Sequence, residues 1–217
     1  MRLRSRSQLL CLAGVAATLA IVSGASAAAT PAGAIDSGTC STWPPLVQPF
    51  LPWADQNPYF LLQDSSFEAA VSGWTLTGGA TVVAGNEPFF VTSRTDTHSL
   101  ALPTTASSVT TPTVCVTSDS PSFRFFLRNN GNLGYTDGQL AVYLNFTGAS
   151  GKPQQVKIAA LKGSKTNWAL TPSISFIQYI STPLKSGAAQ ISFTIRPNDN
   201  HGNWQLDDFY VDPFKGR

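Results

Sequence analysis

The stretch Trp204-Gln205-Leu206-Asp207-Asp208-Phe209-Tyr210-Val211 reads as a β-strand with two adjacent carboxylates set inside it. Trp204 and Leu206 share one parity and Phe209 and Val211 the other, so the alternation slips between Asp207 and Asp208. Such a slip predicts a β-bulge, a device that re-aims side chains at sheet edges and functional rims. Adjacent carboxylates repel unless positive charge lies near. The pair fits two readings: ligands of a hard cation such as calcium, which takes several oxygens, or a solvated Asp-Asp pair at a strand end.

Strands of the same kind precede it. Period-two alternation is clear at Phe123, Phe125 and Leu127, at Leu140, Val142, Leu144 and Phe146, and at Ile191, Phe193 and Ile195. Weaker strand patterns occupy 59–63, 74–77, 80–84, 88–91, 113–117, 156–161 and 175–180, separated by turn clusters such as Gly78-Gly79, Gly85-Asn86 and Asp137-Gly138. No stretch after the leader keeps a helical period for long. About ten short strands predict an all-β fold, a two-sheet antiparallel β-sandwich of jelly-roll type, in one domain over 58–217.

The first 27 residues read as a leader. Arg2, Arg4 and Arg6 precede an apolar run, and Ala25-Ser26-Ala27 forms a small-residue cleavage site, which together predict a secretory signal peptide and an extracellular protein. The leader carries three of the 14 basic residues and none of the 12 acidic ones, leaving 11 against 12, a net of −1. That balance offers no nucleic-acid footprint and no basic membrane patch. No later run approaches the roughly 20 apolar residues of a membrane span.

Cys40 and Cys115 are the cysteines that remain, and an oxidising compartment predicts a disulfide between them. Residues 28–57 form an extended Pro-rich N-terminal arm. Pro44, Pro45, Pro49 and Pro52 disfavour helix, while Trp43, Phe50, Leu51 and Trp53 are too apolar for a free linker. The arm is expected to lie across the sandwich, its tryptophans covering an apolar patch or a sheet edge.

The motif Asp64-Ser65-Ser66-Phe67-Glu68, followed by Gly73-Trp74, and the closing Leu206-Asp207-Asp208-Phe209 together resemble the two ends of jelly-roll carbohydrate-binding modules of the galactose-binding-domain-like superfamily. The resemblance implies that the first and last strands lie side by side and bring Glu68 to the Asp pair. It also implies a structural calcium held by Glu68 and Asp208, with Asp207 as the alternate carboxylate. The Pro-rich arm and Cys115 are not features of that superfamily, and such modules are usually joined to a catalytic domain.

An enzymatic constellation is missing from the sequence. His98 and His201 are its two histidines, and neither a Gly-x-Ser-x-Gly elbow, a His-Glu-x-x-His helix nor a phosphate-cradling loop occurs. Glu87 and Asp199 could be named as a glycosidase pair, but twelve acids supply such pairs by chance. Binding has firmer support, because sugars are held by aromatic faces and planar hydrogen-bonding groups. The parity opposite the core carries Arg124, Phe126 and Arg128 on one strand, Tyr143 and Asn145 on a second and Arg196 on a third. If these strands are neighbours, Tyr143, Arg124, Arg128, Asn145 and Arg196 make a face suited to a glycan. Phe126 could instead lie beneath the arm, and Trp43, Trp53, Trp168 and Tyr179 are further aromatic candidates. The expected function is non-catalytic binding of a polysaccharide or cell-envelope glycan; the alternative is an extracellular protein-interaction or structural envelope module without a sugar ligand.

Overall fold

The computed structural model describes residues 40, 43–69, 71–120, 122–131, 138–162, 167–184, 187–199 and 203–214. The predicted leader, the start of the arm and His201 lie outside the described residues.

The elements in chain order are a 3-10 turn at Leu51–Trp53, then β1 (Phe60–Leu61), β2 (Thr75–Thr77), β3 (Thr81–Ala84), β4 (His98–Leu102), β5 (Ser108–Thr110), β6 (Val114–Thr117) and β7 (Ser122–Asn129). After these come β8 (Gln139–Thr147), β9 (Pro153–Lys162), β10 (Ala169–Leu170), β11 (Ile174–Ser175), helix α1 (Ile177–Leu184), β12 (Ala188–Pro197) and β13 (Trp204–Asp212). One sheet has the order β10-β7-β13-β4-β3, with β1 added to β13 and β11 to β7; the other has the order β2-β5-β12-β8-β9, with β6 added to β12. All pairings are antiparallel. This is the two-sheet β-sandwich of the sequence expectation.

The alternating residues fill the space between the sheets. Phe123 and Phe125 of β7, Leu140 to Phe146 of β8 at every second position, and Ile191, Phe193 and Ile195 of β12 are buried in one cluster. Phe123 of the seven-stranded sheet stacks on Phe193 of the six-stranded one with centroids 3.8 Å apart, tying the layers together. Each such side chain contributes about 1.5–3 kcal/mol on burial.

The strand β13 is buried at all nine positions, because it has a cover on both faces. Trp204, Leu206, Phe209 and Val211 all enter the inter-sheet core, although their parity differs. The ladder to β7 explains this: Asp207 pairs with Phe126 and Tyr210 with Arg124, so Asp208 and Phe209 together oppose Phe125. The predicted bulge is therefore present, and it resets the phase of the strand so that both apolar pairs face inward. Its outer face carries Tyr210, which packs with Phe50, Tyr59 and Phe126 in a second cluster. The arm supplies this cover. Trp43 stacks on Phe60 at 5.3 Å, and Trp53 packs on Phe126 at 5.4 Å and Phe89 at 4.8 Å. Cys40 is joined to Cys115 by a disulfide, Cα to Cα 5.7 Å.

Two expected strands take another form. Residues 175–180 give way to β11 and α1, since Phe176, Ile177 and Ile180 are spaced for one helical face, and Phe176 and Ile180 are fully buried. Residues 88–91 form a turn in which Phe90 has φ +50°; the Glu87 carboxylate accepts hydrogen bonds from the N–H groups of Phe89 and Val91, at 2.5 and 2.8 Å, and competes with any ladder. The strands β4 and β5 were not legible: β4 is His-Ser-Leu-Ala-Leu and is buried from Ser99 to Leu102 on both faces, so it has no alternation to read.

Candidate functional site

Two regions concentrate polar chemistry. The first is the junction of the terminal strands. β1 pairs with β13, as the resemblance implies. The bulge places Asp208 at φ +48°, its N–H bonded to Ser65 O at 3.0 Å, while Ser65 Oγ accepts from Phe209 N–H at 3.2 Å. Asp207 and Asp208 are both fully buried. The Asp207 carboxylate accepts from Glu87 N–H at 3.2 Å and from Asp208 N–H at 3.0 Å. Both carboxylate oxygens of Asp208 are buried without a hydrogen-bond partner, as are Asp96 Oδ2 and Asn86 Oδ1.

The electrostatics follow from this crowding. Burial pushes Asp207 well above the usual carboxylate range, and the charges of Asp208 and Glu87 add to it. Burial does the same to Asp208, with Glu87, Asp96 and Glu68 adding; the Thr92 hydroxyl beside it opposes the shift while engaged with Tyr210 Oη at 2.8 Å. Asp96 is raised by burial and by Glu68. For Glu68, burial would raise the carboxyl, but hydrogen bonds from His98 and Thr97 outweigh it and hold the group low. Its Oε1 accepts from the N–H groups of Thr97 and His98, and Oε2 lies 3.1 Å from His98 Nδ1.

Glu68, Asp207 and Asp208 thus belong to one electrostatic cluster, but their oxygens are used differently. Those of Asp208 are without partners, those of Asp207 hold the bulge and the Glu87 turn, and those of Glu68 hold the start of β4. Among the described residues no three His, Cys, Asp or Glu side chains converge as a finished metal cage. The orphaned oxygens of Asp208, Asp96 and Asn86 are hard donors, the kind of ligand that a calcium ion takes.

The second region is the outer face of the six-stranded sheet. Tyr143 on β8 pairs with Thr194 on β12, and the Arg196 guanidinium lies 4.5 Å from the Tyr143 ring centroid while an Nη2–H donates to Tyr143 Oη at 2.8 Å. Two residues along β8, the Asn145 amide donates to Thr194 Oγ1 at 2.8 Å and to Ser192 Oγ at 3.2 Å, and accepts from Gln155 Nε2 at 2.7 Å. A cleft of about 510 Å³ opens beside it, lined by Asn145, Gln155, Gln190, Ser192, Thr113 and Thr147 among others. These amides and hydroxyls are fixed by one another, which lowers the entropic cost of presenting them to a ligand. The amide of Asn145, part of a formal Asn-Phe-Thr glycosylation sequon, is engaged in this network.

Tyr143, Asn145 and Arg196 are brought together here, whereas Arg124 and Arg128 are not, because β7 belongs to the other sheet. Arg124 lies under the arm: Nη1 donates to Asp55 at 2.8 Å, Nε and Nη2 donate to Thr171 O at 3.0 and 2.9 Å, and the guanidinium covers the Phe50 ring at 5.2 Å. Arg128 packs over Trp168 at 5.1 Å and donates to Gln205 Oε1; burial lowers its pKa. Phe126 is covered by Phe50, Trp53 and Phe89. Tyr179 sits on α1. Glu87 and Asp199 are not a pair, since Glu87 is buried beside Asp207 on one sheet and Asp199 accepts from Gln139 N–H on the other. The contributions of Asp96, Asn86, Gln155, Gln190 and Ser192 were not read from the sequence; only the outward parity of the last three could have signalled them.

This architecture defines a class, the two-sheet jelly-roll β-sandwich. Among the solved structures that the chain is similar to are carbohydrate-binding modules. They include the CBM22-1–CBM22-2 tandem domain of Paenibacillus barcinonensis Xyn10C, with a TM-score of 0.51 and 15% identity over 74% of this chain and 46% of that one. The CBM22-1–GH10 modules of Clostridium thermocellum endo-1,4-β-D-xylanase 10B, complexed with xylohexaose, have a TM-score of 0.50 and 12% identity over 70% of this chain and 28% of that one. The C-terminal family 22 module of Clostridium thermocellum Xyn10B has a TM-score of 0.48 and 16% identity over 72% of this chain and 94% of that one. At these identities the likeness is one of fold. No family model matches the sequence, and no curated protein matches it.

Proposed function

We propose that this chain is a secreted, non-catalytic glycan-binding module whose ligand lies on the outer face of the six-stranded sheet, with a structural calcium at the junction of the terminal strands. The observation that carries the reading is the Tyr143–Arg196 pair on the same face as the Asn145–Gln155 amide network: an aromatic ring with a planar donor, and two residues along β8 the amides that line an open cleft. That is the chemistry by which pyranose rings are held. The fold neighbour complexed with xylohexaose supports a polysaccharide as ligand. Arg124 is assigned to holding the arm and Arg128 to its packing on Trp168 and Gln205, and neither to the ligand.

Calcium would be held by Asp208, with the charges of Glu87, Asp96 and Glu68 near it; its chemistry is to neutralise buried carboxylates that otherwise repel. The extracellular setting is supported by the leader pattern of residues 1–27 and by the disulfide.

Retention of the protein on insoluble polysaccharides and a glycan array, compared with Tyr143→Ala, is the test. Specific retention by the parent and its loss in a folded Tyr143→Ala variant is the expected result. Exposed Leu51, Phe89 and Phe90 on the arm and its neighbouring loop favour a second reading, an extracellular protein-interaction module; absence of retention on every glycan would leave that one standing.

A further inference from the structure

The six-stranded sheet has a peculiar charge distribution. Its strands β2, β5, β6, β8, β9 and β12 contain no aspartate or glutamate at any position, yet they carry Lys157, Lys162 and Arg196. The seven-stranded sheet holds Asp207, Asp208 and Asp212 on β13, and the loops and arm around it hold Asp55, Asp64, Glu68, Glu87 and Asp96. The acidic strand residues therefore lie in one layer, beside Arg124 and Arg128 of β7, while the strands of the six-stranded sheet carry cations alone.

The cations lie where the aromatic ring is. Lys157 is the ladder partner of Tyr143 across β8 and β9, and directly opposed residues share a face with Cβ atoms about 5 Å apart. Arg196, from β12, lies over the same ring at 4.5 Å from its centroid and donates to Tyr143 Oη. Both are exposed, and among the described residues neither has a carboxylate partner. Asp199 lies just past the end of β12, with its carboxylate tied to Gln139 N–H, and Gln139 is about 14 Å along β8 from Tyr143 at the usual rise per residue. Asp119 is in the turn after β6. A tyrosine with one cation over its ring, another opposite it across the ladder, and amides and hydroxyls nearby is matched in charge to a sugar that carries a carboxylate, since a guanidinium pairs with a planar carboxylate through two parallel hydrogen bonds.

Resting on the glycan-binding reading above, we infer that the ligand is an acidic glycan, a polysaccharide whose pyranose rings bear uronic carboxylates, held by stacking on Tyr143 with its carboxylates placed between Lys157 and Arg196. Selectivity then comes from charge as well as from ring shape. A neutral polymer of the same backbone leaves two cations without a counter-charge and binds more weakly.

The test is retention of the full chain on a polyuronate and on the same polymer after chemical reduction of its carboxyl groups, with Lys157→Gln, Arg196→Gln and Tyr143→Ala beside the parent. Arg94→Gln, which removes a cation from the loop before β4, is the control. The expected result is about tenfold or greater preference for the polyuronate. Lys157→Gln and Arg196→Gln should each weaken it about threefold to tenfold, and 0.5 M salt should weaken it too. Tyr143→Ala should abolish it, and Arg94→Gln should leave it unchanged. Equal retention on both polymers overturns the acidic-glycan inference while the glycan-binding reading stands. Retention that survives Tyr143→Ala or falls equally in Arg94→Gln marks simple ion exchange and also overturns it. No retention on either polymer or on any neutral polysaccharide overturns both readings.

Discussion

Arg124 and Asp55 form an ion pair at 2.8 Å that fastens the N-terminal arm to the outer face of the seven-stranded sheet. The same Asp55 oxygen accepts from Tyr59 Oη at 2.7 Å, and the guanidinium spends two further donors on Thr171 O. Arg124→Ala leaves the largely buried Asp55 carboxylate without its counter-charge and the Thr171 carbonyl without the guanidinium donors, and should destabilise the fold by about 3 kcal/mol in urea titration. Arg124→Lys should recover little, because a single ammonium cannot reach both acceptors. Sugar retention should be unchanged in whatever fraction remains folded, since the residue lies on the sheet that does not carry Tyr143.

Calcium should act on stability through Asp208. After chelation the melting temperature should fall, and titration with calcium should restore it, by about 2.7 kcal/mol of stability at a hundredfold excess over Kd. Magnesium, which demands a smaller and more regular octahedral cage, should restore less. Asp208→Asn should remove the calcium response. Identical melting curves in chelator and in calcium would remove the ion from the proposal.

The pH dependence of the chelated protein should be inverted relative to an ordinary acidic domain. Burial pushes the Asp212 carboxyl up to about 6, with Asp55 adding, and raises Asp207 and Asp208 as well. Over the range between the unfolded and folded pKa values the native state holds more protons than the unfolded chain, so stability falls as pH rises. For Asp212 that range runs from the ordinary aspartate value near 3.8 to about 6, and the Asp pair extends the fall upward. Glu68 has the opposite sign, its lowered pKa withdrawing stability below the ordinary glutamate range. Chelated protein should therefore melt higher at pH 5 than at pH 8. Saturating calcium, which favours ionised Asp208, should flatten or reverse that slope.

Reducing the disulfide should release the arm. Its ends are 75 residues apart, a loop whose closure corresponds to about 4 kcal/mol in the chain-entropy picture. Cys40→Ala with Cys115→Ala should lower the melting temperature and shift the fluorescence of Trp43 and Trp53 toward the red. An unchanged spectrum would show that the aromatic contacts of Phe50 and Trp53 hold the arm unaided.

How far the sequence could be read differed by layer. The bulge was legible because Trp204, Leu206, Phe209 and Val211 cannot all face one side of a regular strand. The disulfide was legible because two cysteines remain after the leader. β4 was not, since a strand covered on both faces loses its alternation. The grouping of Arg124 with Tyr143 failed for a related reason: parity says which face of its own strand a residue occupies, but not which strand lies alongside. Gln155 and Lys157 entered the site only through the ladder that places them opposite Asn145 and Tyr143.

The position of β13 has a consequence for the order of events in folding. It lies between β7 and β4, and it also receives β1, so the middle of one layer is filled by the last strand of the sandwich to leave the ribosome. Until it arrives, β4 and β7 present unpaired edges, and the arm has no Tyr210 to settle on. Each of these contacts spans much of the chain, the kind of long-range pairing that makes folding slow. Closure of this layer thereby waits on β13, the last of its strands in chain order.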